Sequence, residues 1–296
     1  MPKLTRRQTL ALFAAASLHA RESASRMSVE GYIFQEYAER QKKSLGDVLE
    51  EIFAIAHAAG FHNIEINHAF FTPELRDRTI SSLGAHQLKM PSVYVGGVMH
   101  TKEAAEATTA RALDIARLCQ PFGCVAVVNN PEPKPAGAQK TDDELVTQAA
   151  ALNTLGRTLK DAGFELRVHH HTPELVANAR EWRHILHNTD PQFVALCLDL
   201  DWVHQGGFSP LDLLREAGHR VHEIHVRNSH DKVWLESLAD GDIDYREIAA
   251  YLKHNALKPL IVVELAYREK TVVTRPLEED LRLSRIYAEH IFGVRA

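Results

Sequence analysis

"ELRVHHHTPEL", from Glu165 to Leu175, is the stretch on which the fold turns. Phe164–His169 has the residue pattern of a short strand, and the run His169, His170 and His171 lies at its end. Thr172-Pro173-Glu174 then opens a helical pattern, with Pro173 in the first turn, where a missing N–H is tolerated. A strand that ends in polar residues and turns into a helix is one βα unit. Side chains alternate on a strand, so His169 and His171 point one way and His170 the other. Imidazole is the commonest metal ligand and an acid–base group near neutral pH. A polar strand end with hydrogen-bonded histidines is the plainer alternative.

The same change of period recurs along the chain. Strand patterns fall at Val29–Phe34, Asn63–Ile66, Lys89–Val95, Val125–Asn129, Phe164–His169, Phe193–Asp199, Val221–Val226 and Leu260–Glu264. Helical patterns lie between them. "SLGDVLEEIFAIAHAAG" offers Ser44 as N-cap and Gly60 as the residue past the C-terminus. "TKEAAEATTARALDIARLCQ", "TDDELVTQAAALNTLGRTLKDAG", "PELVANAREWRHILHN", "SPLDLLREAG", "DYREIAAYLKHN" and "PLEEDLRLSRIYAEHIF" are rich in helix formers. Eight βα units over roughly 265 residues match the size of a closed (β/α)8 TIM barrel. An open doubly wound sheet is the rival, but no glycine-rich dinucleotide fingerprint follows the first strand. "NPEPKPAGAQK" reads as the loop after strand four rather than a linker. One barrel domain over residues 27–296 is therefore expected.

Bulk properties narrow the function. The chain has 296 residues, 45% hydrophobic and 25% charged, the balance of an ordinary globular protein. A formal net charge of −5 gives no electrostatic case for nucleic acid as a partner. Cys119, Cys124 and Cys197 fit no zinc-finger spacing, and Cys197 in its apolar run reads as a buried small hydrophobe. No segment supplies the roughly 20 apolar residues needed to span a bilayer. Residues 1–26 read differently. Lys3, Arg6 and Arg7 precede an apolar stretch from Leu10 to Leu18, with no acid before Glu22. That is the layout of an export signal, and Arg6–Arg7 resembles the twin-arginine type, which makes the protein periplasmic or otherwise exported. An uncleaved basic N-terminus on a cytoplasmic protein is the alternative.

A barrel carries its chemistry on the loops that follow its strands. Strand five ends in His169, with His171 and Glu174 just beyond. Strand six ends in Asp199, strand seven carries His225 and strand eight ends in Glu264. Two imidazoles and two carboxylates form a mixed N/O donor set. It suits Mn²⁺, Zn²⁺, Co²⁺ or Mg²⁺ and contains no thiolate. A carboxylate at the end of a buried strand also needs compensation, which a divalent cation supplies. Individually, these acids could instead cap helices or pair with Arg227 or Arg268.

Four segments carry a resemblance. "VHHHTPEL", "LDLDWVHQGGFSPLDLL", "EIHVRN…DGDIDY" and "IVVEL" are similar to the motifs of the xylose isomerase-like TIM-barrel superfamily of sugar isomerases and epimerases, over nearly everything from Ser28 onward. The resemblance implies a divalent metal, Mn²⁺ foremost, on His169, Asp199, His225 and Glu264. It also implies substrate contacts from Glu65, Arg227 and Trp202. Glu264, His171 and Glu174 are the acid–base candidates. The expected substrate is a small keto-sugar or related polyol, isomerised or epimerised through an enediolate. Two departures stand out. Asn228 replaces a usual Asp, and His169 stands where ketose epimerases carry one of two proton-exchanging Glu residues. A His/Glu pair would equally suit β-elimination, so a lyase or dehydratase on keto-glycosides or inosose-like rings is the alternative. Export would favour an unphosphorylated sugar. Replacing Arg6 and Arg7 together by Lys is expected to abolish delivery to the cell envelope while leaving the purified enzyme folded. Undiminished delivery in a fractionation assay would contradict the twin-arginine reading.

Overall fold

In the computed structural model, which describes residues 26–268 and 270–296, each apolar run forms a short parallel strand. The strands are β1 Met27–Glu30, β2 Ile64–Glu65, β3 Ser92–Tyr94, β4 Ala126–Asn129, β5 Glu165–Val168, β6 Val194–Asp199, β7 Val221–Val226 and β8 Leu260–Val263. They pair in the order β2-β1-β8-β7-β6-β5-β4-β3. The two ends of that order meet through bridges Asn63↔Lys89 and Asn67↔Tyr94. The amides of Ile64 and Tyr94 donate there to the carbonyls of Lys89 and Ile66 at 2.8 and 3.0 Å. The result is the expected eight-stranded parallel barrel. The expected export signal, residues 1–26, lies outside the described residues except for Arg26.

The helices form because their apolar positions recur at helical spacing and bury one face against the sheet. Leu45–Ala58 buries Val48, Leu49, Ile52, Phe53 and Ala56. Its predicted ends hold: Ser44 and Asp47 make a reciprocal capping box, and Gly60 takes φ +89 just past the helix. Asp142–Asp161 starts with a second capping box, Thr141 with Glu144, and buries Leu145, Leu152, Leu155 and Leu159. No helix among the described residues is long and apolar enough to cross a membrane.

The structure corrects three readings of local structure. The first strand stops at Glu30, not Phe34, and Tyr32–Arg40 is a helix. Ile33, Phe34 and Ala38 give it a buried face of helical spacing, and Gly31 makes the turn by packing on Ile66. Arg76–Ala85 and Leu200–Gln205 are further helices not expected from the sequence. The segment after the histidine run, Thr172–Asn188, is interrupted. Val176 is extended, and Ala177, Asn178 and Ala179 have φ of 51, 62 and 56°. Val176 and Asn178 are weak helix formers, and Arg183 donates to the Asn178 carbonyl at 2.7 Å.

Gly156 marks a close approach of a helix to the chain entering β6. A Cβ there would lie 2.2 Å from the Phe193 carbonyl oxygen at the entrance to β6. Gly156→Ala is therefore expected to destabilise the barrel by about 1–3 kcal/mol, the range for overpacking. This outweighs the gain of about 1 kcal/mol that alanine brings to a helix interior. Urea unfolding checks the sign.

Candidate metal centre

The strand ends bring His169, Asp199, His225 and Glu264 together. Their donor atoms all lie within 4.8 Å of one another, and all four residues are buried. His169 Nδ1 lies 3.3 Å from Asn130 Oδ1 and 3.4 Å from Tyr94 OH. Its Nε2 has no hydrogen-bond partner and sits 3.7 Å from Asp199 Oδ2. With Nδ1–H donated to Asn130, the Nε2 lone pair points into the cluster. Burial, reinforced by His225, pushes the His169 pKa down to about 3, so this lone pair is free at neutral pH. His225 Nδ1 lies 2.6 Å from Glu264 Oε2. An unpartnered buried imidazole nitrogen facing two carboxylates fits a divalent cation of borderline softness.

Arg227 balances the carboxylates. It is buried, with Nη2 2.9 Å from Asp199 Oδ2, Nη1 2.7 Å from Glu264 Oε1 and Nε 3.5 Å from Asp201 Oδ2. Burial raises the Asp199 pKa to about 6 against the pull of Arg227. Burial also works to raise Glu264, but Arg227 and His225 overrule it and hold Glu264 well below the usual carboxylate range. Arg227 was expected to hold substrate oxygens. It is engaged with the acids of the cluster and stacks on Trp202 and Trp234, 5.1 and 4.5 Å from the ring centroids.

An aromatic row leaves the cluster. The His169 and His171 rings are 4.8 Å apart, His171 and Trp202 5.2 Å, and Trp202 and Trp234 5.3 Å. His171 and Trp202 thus lie next to the centre, as the sequence suggested. Burial, then His169, lowers the His171 pKa to about 3, so it is a neutral imidazole. His170 is buried as well, its ring stacked 5.8 Å from His169 and both its nitrogens without partners. Glu174 accepts the His171 backbone N–H at 2.8 Å, and its other oxygen is buried without a partner. Burial raises its pKa to about 7. Glu174 therefore fixes the backbone that carries His171.

Glu65 is not among the outward-facing residues. It lies beneath His225, with Oε1 3.1 Å from His225 Nε2, fully buried, and burial lifts its pKa to about 8. Asn228, which replaces the usual Asp, clasps the following loop. Its Nδ2 donates to the carbonyls of Ala239 and Ile243, and its Oδ1 accepts from Ser229 and Ile243. Sequence reading missed Glu223, Arg167, Asp201, Trp234 and Tyr94. For two of them the signal was available: Glu223 precedes His225 by two residues, and Arg167 precedes His169 by two, so strand alternation turns them to the same face.

The model of the family described as xylose isomerase-like TIM barrel matches residues 53–287. The chain is 30% identical over 142 residues to an inosose dehydratase of Salmonella typhimurium, across 42% of this chain and 47% of the relative. It thus spans about half the length of the curated relatives it matches. A sugar phosphate isomerase/epimerase of Parabacteroides distasonis superposes with a TM-score of 0.71 at 16% identity, over 92% of this chain and 96% of the other. An L-ribulose 3-epimerase superposes with a TM-score of 0.68 at 17% identity, over 91% and 95%. At these identities the superpositions establish the fold.

Removing one partner from a buried charge set costs about 3–5 kcal/mol, because the remaining charges lose their compensation. Arg227→Leu is expected to destabilise the metal-free protein by that order in urea unfolding. Added Mn²⁺ should narrow the gap, since a cation on Asp199 and Glu264 restores the lost charge. An equal loss with and without Mn²⁺ would show that these carboxylates do not bind it.

Proposed function

The chain belongs to the xylose isomerase-like TIM barrel family, and on that premise we propose that it is a divalent-metal enzyme that isomerises or epimerises a keto-sugar or related polyol. The observation that supports this most is the buried convergence of His169, Asp199, His225 and Glu264 with an unpartnered His169 Nε2. These four residues would hold the cation, with Mn²⁺ the first choice. When bound, the cation polarises the substrate carbonyl and neighbouring hydroxyl and stabilises the charge that develops as the α-proton leaves.

The chain's own residues handle the proton and the ring. Both Glu264 oxygens are engaged, by His225 and Arg227. His171, a neutral imidazole adjacent to His169 and without an acid partner, is then the group placed to take the proton from carbon. Glu174 holds His171 in place through its backbone N–H. Trp202 lies between His171 and Trp234 and offers an apolar face to a sugar ring. Export through a twin-arginine signal would place the enzyme outside the cytoplasm, with an unphosphorylated sugar as substrate.

Elimination is the second reading, and the inosose dehydratase relative supports it. The first proton abstraction is shared, and expulsion of a leaving group replaces reprotonation. Incubation of the Mn²⁺-loaded enzyme with keto-sugars and keto-glycosides in D2O separates the two. Deuterium gained at the carbon beside the carbonyl is expected. An unsaturated or released product would establish the lyase instead, and no reaction with any such compound would remove both readings. His171→Ala is expected to retain its metal and lose about 10²–10⁴-fold in turnover, the usual contribution of a positioned acid–base group. His169→Ala should lose the metal, and His170→Ala should do neither.

A further inference from the structure

We infer that a buried layer beneath the cluster, made by Arg167, Glu223 and Glu65, positions His225 so that Nδ1 is the atom it offers to a cation. This rests on the metal reading above and concerns residues to which that reading gives no role.

The layer follows from strand alternation. Arg167 and His169 are two residues apart at the end of β5, and Glu223 and His225 are two apart on β7, so each pair shares a face. Arg167 Nη1 lies 2.6 Å from Glu223 Oε2, and its Nε lies 2.6 Å from Glu165 Oε1. The other Glu223 oxygen, Oε1, lies 3.2 Å from His225 Nε2. Glu65 Oε1 lies 3.1 Å from the same nitrogen, and Ser92 Oγ donates to Glu65 Oε2. Glu65, Glu223 and His225 are all fully buried.

Nε2 therefore faces two carboxyl oxygens. The Glu223 oxygen is placed as an acceptor, since Arg167 Nη1 donates to the other oxygen of that carboxylate at 2.6 Å. A ring whose Nε2–H donates to a carboxylate presents its Nδ1 lone pair on the opposite edge. Without a cation that edge is hydrogen-bonded to Glu264 Oε2 at 2.6 Å, with the His169 ring 4.9 Å away, and a cation bound there would take the place of the shared proton. Such an outer carboxylate both fixes the tautomer and raises the basicity of the ligating nitrogen. Arg167 is the anchor, because without it Glu223 would be a bare buried carboxylate. Glu65, Glu223 and His225 also lie close enough to form a cation site of their own. The Arg167 guanidinium already supplies the positive charge there, which favours positioning over a second cation.

The test uses full-length protein with ¹⁵N-labelled histidine, titrated with Zn²⁺, which is diamagnetic, and followed by NMR and calorimetry. One Zn²⁺ per chain is expected, with His225 carrying its proton on Nε2 in the loaded state. Glu223→Gln keeps an acceptor oxygen, so it should keep that tautomer and weaken Zn²⁺ by about 10-fold. Arg167→Leu with Glu223→Leu removes the charge pair together and should weaken Zn²⁺ by about 100-fold, the upper range for losing an outer partner of a ligand. That double variant should also show both tautomers, which a general loss of packing would not produce. Several results would overturn the inference. They are a wild-type spectrum with the proton on Nδ1, a double variant with unchanged affinity, or a second Zn²⁺ that Glu65→Gln abolishes. The wild-type spectrum decides even if the leucine pair does not fold. Failure of the wild type to take up Zn²⁺ would overturn this inference and the metal reading together. A bound Zn²⁺ with unaffected variants would overturn the positioning role alone.

Discussion

Charge compensation inside an apolar barrel governs the C-terminal half of this molecule. Asp199, Asp201, Glu223 and Glu65 are each fully buried, and Glu264 nearly so. A bare carboxylate in such surroundings is costly. Arg227 answers Asp199, Asp201 and Glu264, and Arg167 answers Glu223. The His169 Nε2 lone pair is left without a hydrogen-bond partner, although it lies 3.7 Å from Asp199 Oδ2. A divalent cation would complete that arrangement.

The same constraint shapes the loops. The carbonyl of Arg227 accepts the Tyr245 hydroxyl, which ties the strand end to the helix Tyr245–His254. Asn228 gathers the loop between Ser229 and Ile243 by four hydrogen bonds. Gly241 is required where that loop closes, since a Cβ would meet the Ser229 carbonyl oxygen at 2.3 Å. An Asp at position 228 could not donate to the Ala239 and Ile243 carbonyls as the Asn228 amide does. The departure from the usual family residue thus has a structural use in this chain.

The barrel was legible because eight apolar runs ended where helical periods began. Their bounds in β4, β6, β7 and β8 agree with the sequence reading to within a residue at each end. The four cluster residues were legible because each closes or nearly closes its run. Less was readable where local pattern and tertiary contact diverge. The sequence pattern reads Tyr32–Phe34 as the end of a strand because Tyr32, Ile33 and Phe34 are strand formers, yet packing after the Gly31 turn makes them helical. Arg227 was legible as a functional cation, but its partners lie on three different segments and could not be read from one. Glu65 ended a strand like the others, and only its contacts with His225 and Ser92 show that it lies behind the cluster, on the Nε2 side of His225. Glu223 and Arg167 were hidden for the opposite reason: they sit inside strands, where a charge is easily assigned to the outer face.

The account comes down to one donor set, two imidazole nitrogens and two carboxylates around one cation. Cys197 lies close to His169 and His225 and offers a different set with a sulfur atom. X-ray absorption at the manganese edge of protein loaded with one equivalent of Mn²⁺ separates the two. The account predicts a shell of nitrogen and oxygen only, with the outer scattering of two imidazoles, and its loss in Asp199→Ala. A sulfur neighbour, or a shell of water oxygens with no imidazole signal, would contradict it.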